Sequence, residues 1–147
     1  MTDLVITRIF DAPRELVYRA FTDPDQIAQW FGPVGWSVPR DSIDIDARPG
    51  GKQVFTMVND ADPSMSSPVD ATFTEVIENQ LIVGEEDVSH IQDFGADKLV
   101  MRIELFDEEP GRTRLVLTQS PFPAAMSGGA EEGWGSSFTK LDKLLKA

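Results

Sequence analysis

The sequence predicts an α+β fold in which an antiparallel sheet is covered on one face by a long C-terminal helix. Three observations carry this. Apolar and polar residues alternate through most of 36–120, a period of two. Beyond that the period lengthens, with Ala130, Trp134, Phe138, Leu141 and Leu145 recurring at spacings of three and four. At 147 residues the chain suits a single domain, taken as 1–147.

Each element has its own signal. A strand opens the chain at 4–10, rich in β-branched and aromatic residues. A short helix begins at Pro13, placed at its first helical position, with Glu15 in the first turn and an apolar face of Leu16, Val17, Ala20 and Phe21. A second begins at Asp23-Pro24, where Asp23 caps and Gln26 stands at the capping-box position. Its apolar residues are Ile27, Trp30 and Phe31, and Gly32-Pro33 stops it. About six strands follow, separated by turn signals at Pro49-Gly50-Gly51, 59–68, Glu78-Asn79 and 108–111. The segment 59–68, with Pro63, Met65 and three serines, is expected to be a mobile loop. In the last helix Lys140, Lys143 and Lys146 complement the negative end of the helix dipole. A helix with one apolar stripe must bury it, and the apolar face of the sheet is the available partner.

Charge narrows the function. Thirteen Lys and Arg against 25 Asp and Glu give a net charge of −12. Such a balance argues against nucleic acid or an anionic membrane as the principal partner, because both need clustered positive charge. Between Lys52 and Lys98 there is no Lys or Arg. Ten of the acidic residues lie in that stretch, which is read as a solvated outer face that keeps the protein soluble, or as a docking face for a basic partner. No targeting segment or membrane-spanning run of about 20 apolar residues is visible, so membrane insertion is not expected and a cytoplasmic location is. Cysteine is absent, which removes disulfides, thiolate metal sites and a cysteine nucleophile.

Ile6-Thr-Arg-Ile-Phe-Asp-Ala-Pro13, Thr22-Asp-Pro24, Trp30-Phe-Gly-Pro33, Arg48-Pro-Gly-Gly51, Leu117-Thr-Gln-Ser120 and Glu131-Glu-Gly-Trp134 follow one another in this order. Together they resemble the START/SRPBCC superfamily, and within it the bacterial branch related to the activator of the 90-kDa heat-shock protein ATPase. The resemblance runs from residue 6 to residue 145. It implies a helix-grip fold, a bent antiparallel sheet wrapped around the C-terminal helix with two short helices closing one end. It also implies an apolar cavity between sheet and helix that holds small hydrophobic molecules. The eukaryotic activator carries an additional N-terminal chaperone-binding domain, for which this chain has no room. Where relatives place a large apolar residue after the Pro-Gly-Gly turn, this chain has Gln53, a polar group near the cavity.

Candidate chemistry is sparse. One His and no Cys do not make a zinc site, and Asp44-x-Asp46 lacks the Glu of a calcium loop, Phe55 standing in its place. No metal or cofactor is expected. Gly50-Gly51-Lys52 lacks the upstream glycine and the Ser/Thr of a P-loop. No G-x-S-x-G elbow occurs. His90, the only histidine, lies near Glu85, Glu86, Asp87 and Asp93, as a strand-end residue or as a general base at a cavity mouth.

The large apolar set is the stronger signal. Such a set packs a solid core in most domains, but two features favour a hollow. Gly133 and Gly135 flank Trp134 in the helix, each costing about 1 kcal/mol against Ala. Met57 and Met101 are adaptable groups that suit an apolar pocket. The expected ligand-binding cavity is therefore lined by Gln53, Phe55, Met57, Met101, Trp134 and Phe138, with Trp30 and Phe122 near its entrance. The leading expectation is a non-enzymatic module binding a lipid-like or aromatic molecule, oriented by Gln53 or Gln119. Two others stand beside it. One is an aromatase/cyclase-type enzyme using Gln53, Tyr18, Glu75 and His90. The other is a chaperone ATPase cofactor docking through the acidic stretch 53–97, the less expected partner because the resemblance does not include the N-terminal chaperone-binding domain.

Overall fold

The computed structural model of the protein describes residues 2–146. The chain runs β1 (Thr2–Phe10), α1 (Arg14–Thr22), α2 (Pro24–Trp30), β2 (Trp36–Ser37), a 3-10 turn (Arg40–Ser42) and β3 (Asp44–Ile45). It continues with β4 (Lys52–Asn59), β5 (Ser66–Ile77), β6 (Leu81–Asp87), β7 (Lys98–Glu108), β8 (Arg112–Phe122) and α3 (Ala124–Lys146). All strand pairs are antiparallel, in the order β1-β8-β7-β6-β5-β4-β2, with β3 also on β4. This is the helix-grip arrangement, an open sheet holding α3 against one face.

Alternation decides which face is buried. On β8, Thr113, Leu115, Leu117 and Gln119 are buried while the residues between them are half-buried. Leu99, Ile103 and Leu105 on β7 and Ala71 and Phe73 on β5 share that face. Against it lie Phe138 and Leu141 of α3, both fully buried, with Phe10 edge-on to Phe138 at 5.3 Å. Arg8, on the inward parity of β1, pairs with Asp142 and lies 5.7 Å from the Phe138 ring, so the C-terminal half of α3 is tied to the first strand.

Several local expectations need correction. Seven strands follow α2 rather than about six, because β2 and β3 are only two residues each. Pro13 is the N-cap of α1 rather than its first helical residue, and Leu16 turns outward, 37% exposed. Asp23 caps α2 by accepting from the Asp25 N–H at 2.9 Å, not through a reciprocal box with Gln26. The 59–68 segment is a loop only over 60–65, the strands taking its two ends. Asn59 closes β4 and Ser66 opens β5, and the Asn59 side chain accepts from the N–H groups of Ala61 and Asp62 between them. Helix α3 begins at Ala124, well before the apolar stripe that announces it. Its first turns carry Met126 onto a second apolar cluster built on Leu4, Val88, Phe94, Leu99 and Phe122.

Candidate functional site

The core is divided. One cluster joins the C-terminal half of α3 to α1, α2 and the sheet. A second lies under the N-terminal half of α3, and a third gathers Ile27, Val38, Ile43 and Phe55. Between them is a cavity of about 370 Å³. Small residues open it. Ala71 and Gly84 face in from the sheet, and Ala130 and Gly133 from the helix. A Cβ at Gly133 would meet nothing within 4 Å. Pro68 and Ile91, both exposed, are lining residues on the side that solvent reaches.

Large apolar groups form the walls. Phe31 stands edge-on to Phe55 at 4.7 Å and to Trp134 at 5.6 Å. Phe94 stands edge-on to Phe122 at 5.6 Å on the other side. Met57 and Met101 complete them, an adaptable pair among rigid rings. Polar groups are few. The Trp134 Nε1–H donates to Gln119 Oε1 at 3.3 Å, and the Gln119 amide reaches Met101 Sδ at 3.9 Å. Gln53 is buried, its Oε1 on the side of Gly84.

Among the described residues one ionisable side chain lines this space, Glu86 of β6. Ile82, Gly84 and Glu86 share the inward parity of that strand. Glu86 sits between Ala71 of β5 and Leu99 of β7 in the sheet register. Burial, then the carboxylates of Asp70 and Asp87, pushes its carboxyl up to about 7. In the sequence Glu86 reads as one of the acids of a solvated outer face, although it shares its parity with Ile82 and Gly84.

The expected site residues divide into two groups. Gln53, Phe55, Met57, Met101, Phe122 and Trp134 surround the cavity, as does Gln119. Trp30 and Phe138 do not. Trp30 is wholly buried, its Nε1–H donating to the Ala20 carbonyl at 2.8 Å, so it closes the α1–α2 contact rather than an entrance. Phe138 is also wholly buried, packed between Phe10 and Trp30. Of the residues a cyclase reading relies on, only Gln53 reaches the cavity. Glu75 and His90 are exposed, and Tyr18 packs at the edge of the main core. Among the described residues no group of three or more His, Asp or Glu is arranged to hold a metal ion, and no helix is long and apolar enough to cross a membrane.

This arrangement has known relatives. The sequence matches the family described as Activator of Hsp90 ATPase homolog 1-like protein over residues 11–146. The chain belongs to this family. Bacterial proteins of solved structure share its fold. One from Chromobacterium violaceum has a TM-score of 0.85 at 24% identity, over 99% of this chain and 98% of that one. One from Nitrosomonas europaea has a TM-score of 0.81 at 27% identity, over 99% and 94%. A member of the same family from Silicibacter pomeroyi has a TM-score of 0.81 at 28% identity, over 99% and 98%. No curated protein matches the sequence. Family membership fits the sheet-and-helix grip, and the superfamily around it typically binds hydrophobic ligands.

Proposed function

We propose that this protein binds a small, largely apolar molecule, lipid-like or aromatic, between the sheet and the N-terminal half of α3. The observation that carries the reading is the cavity of about 370 Å³ walled by Phe31, Phe55, Met101, Phe122 and Trp134. Its volume lies within the range of about 300–1,000 Å³ common to small-molecule sites, and a few polar groups among apolar walls are the usual lining. Affinity comes from burial at about 25 cal/mol per Å² of apolar surface, less the cost of immobilising the guest. Binding is favoured over the aromatase/cyclase reading because Tyr18, Glu75 and His90, on which that reading relies, stand away from the cavity. An amide chemical-shift titration against medium-chain lipids, flavonoids and aromatic polyketides tests this. Shifts concentrated on Phe55, Met101 and the 126–134 segment are expected. Uniform or absent shifts there, with the probes soluble and the protein folded, overturn it.

A further inference from the structure

We infer that Glu86 orients the guest in this cavity and that the preferred guest is an apolar molecule bearing one basic amine. The inference rests on the cavity reading above and narrows it to a ligand class.

The geometry carries the first step. Glu86 extends from the inward side of β6, flanked in register by Ala71 and Leu99, into a space walled by aromatic rings and methionines. A carboxylate held among apolar groups is costly unless it is paired. No ion pair among the described residues engages it. The ion pairs of the described residues involve other carboxylates, those of Asp142, Asp107, Asp25, Asp46, Glu104 and Glu108. Among the described residues no Lys, Arg or His lines the cavity. The nearby donors of Trp134 and Gln119 are turned toward Gln119 and Met101.

Charge carries the second step. The groups acting on Glu86 from adjoining elements are Asp70 on β5 and Asp87 on β6 itself, both negative. The inward side of β7 presents Leu99 and Met101, β4 presents Gln53, and α3 presents Met126, Ala130 and Trp134. Lys98 and His90 act on Asp87. A guest carboxylate thus enters a site with negative charge and no compensating cation, and a neutral guest leaves Glu86 unpaired. A guest ammonium supplies the missing partner through a charge-assisted hydrogen bond inside a low-dielectric space. Fatty acids are disfavoured for the same reason that apolar amines are favoured.

Protonation makes the preference pH-dependent. Glu86 is neutral well below pH 7 and ionised above it, while an aliphatic amine stays protonated through this range. Amine selectivity therefore rises as pH rises through about 7.

Three probes of one size test this: 1-naphthylmethylamine, 1-naphthylmethanol and 1-naphthoate, titrated by calorimetry and chemical shift. In the unaltered protein at about pH 8 the amine should bind about tenfold or more tighter than the alcohol, with the carboxylate weakest. At about pH 5 the amine and alcohol should come within about threefold. Glu86→Gln, of nearly the same volume, should abolish the amine preference at pH 8. Asp70→Asn, outside the cavity lining, should keep the preference but move its onset to lower pH by removing a negative neighbour. An amine preference that survives Glu86→Gln, or equal binding of all three probes at pH 8, overturns the inference and leaves the cavity reading standing. If none of the three binds either protein, the cavity reading falls and the inference with it.

Discussion

At Gly51 the backbone leaves no room for a side chain, since a Cβ there would lie 1.9 Å from the Asp46 carbonyl oxygen. The turn is tied to β5 by Gly50 N–H donating to the Phe73 carbonyl and Phe73 N–H donating to that of Gly51. Gly50 is at φ +83° with open space around it. Gly51→Ala is therefore expected to cost about 3 kcal/mol or more, and Gly50→Ala only about 1–2, measured by urea denaturation. Equal costs would mean that the close approach is absent. Glu86 yields a prediction of opposite sign. Its folded-state pKa, about 7, lies above the ordinary 4.5, so folding disfavours its ionised form. The penalty is absent below about pH 4.5, grows through the interval and is complete above about pH 7. Glu86→Gln should stabilise the ligand-free protein at pH 8 by up to about 3 kcal/mol, an upper bound because water reaches the cavity, and by almost nothing near pH 4.5. A gain independent of pH would show that Glu86 is not desolvated. At this scale the sequence is legible where one face decides burial. Phe55 and Met101 follow from period two, and the Gln119 parity follows from Leu115 and Leu117. Trp30 and Phe138 are misplaced because periodicity assigns a side chain to a face without saying which neighbours close over it. Glu86 is overlooked because an acidic run reads as solvent-facing unless its parity is followed residue by residue.

Helix α3 does two jobs along its length. Its C-terminal half is fixed by Phe138, Leu141, the Arg8–Asp142 pair and the Lys140 ammonium donating to the Trp36 carbonyl at 3.0 Å. Its N-terminal half roofs the cavity with Met126, Ala130, Gly133 and Trp134. The stripe that announces the helix is the part that packs solidly. Its true start at Ala124 is hidden because Gly128 and Gly129 depress helix propensity there, and packing of Met126 on the second cluster offsets this. Gly133 and Gly135 separate the two jobs. Both have open space where a Cβ would go, but only Gly133 lines the cavity. Gly135→Ala should raise stability by about 0.5–1 kcal/mol through helix propensity alone, without changing guest affinity. Gly133→Leu should fill the cavity and weaken binding of the naphthyl probes about tenfold or more, with α-helical circular dichroism retained. Undiminished binding to Gly133→Leu would place the guest elsewhere.

Over the whole molecule the element order is readable, and so is the charge pattern, but the sheet order gives that pattern a shape. Strands β4, β5 and β6 are neighbours, and beyond Lys52 this half of the sheet contains no cation. The other half, β7, β8 and β1, carries Arg8, Arg102, Arg112 and Arg114, and three of its pairs are Arg8–Asp142, Arg102–Glu104 and Arg114–Glu108. These pairs keep much of their solvent contact, so each contributes about 0–1 kcal/mol. A net charge of −12 over a domain this small sets repulsion among the uncompensated acids against that modest gain. The repulsion should win, because it sums over many like charges while the pairs are few. Screening should then stabilise the fold. Raising sodium chloride from about 0.02 to 0.5 M, which shortens the screening length to a few Å, should raise the thermal midpoint by several degrees at pH 8. The rise should shrink as the pH approaches 5, where the carboxylates begin to protonate and the repulsion fades. Glu75→Gln, on the exposed side of β5, should reproduce a small part of the gain at low salt and none at high salt. A midpoint that falls with salt would show instead that the ion pairs of the β7–β8–β1 half outweigh the acidic half.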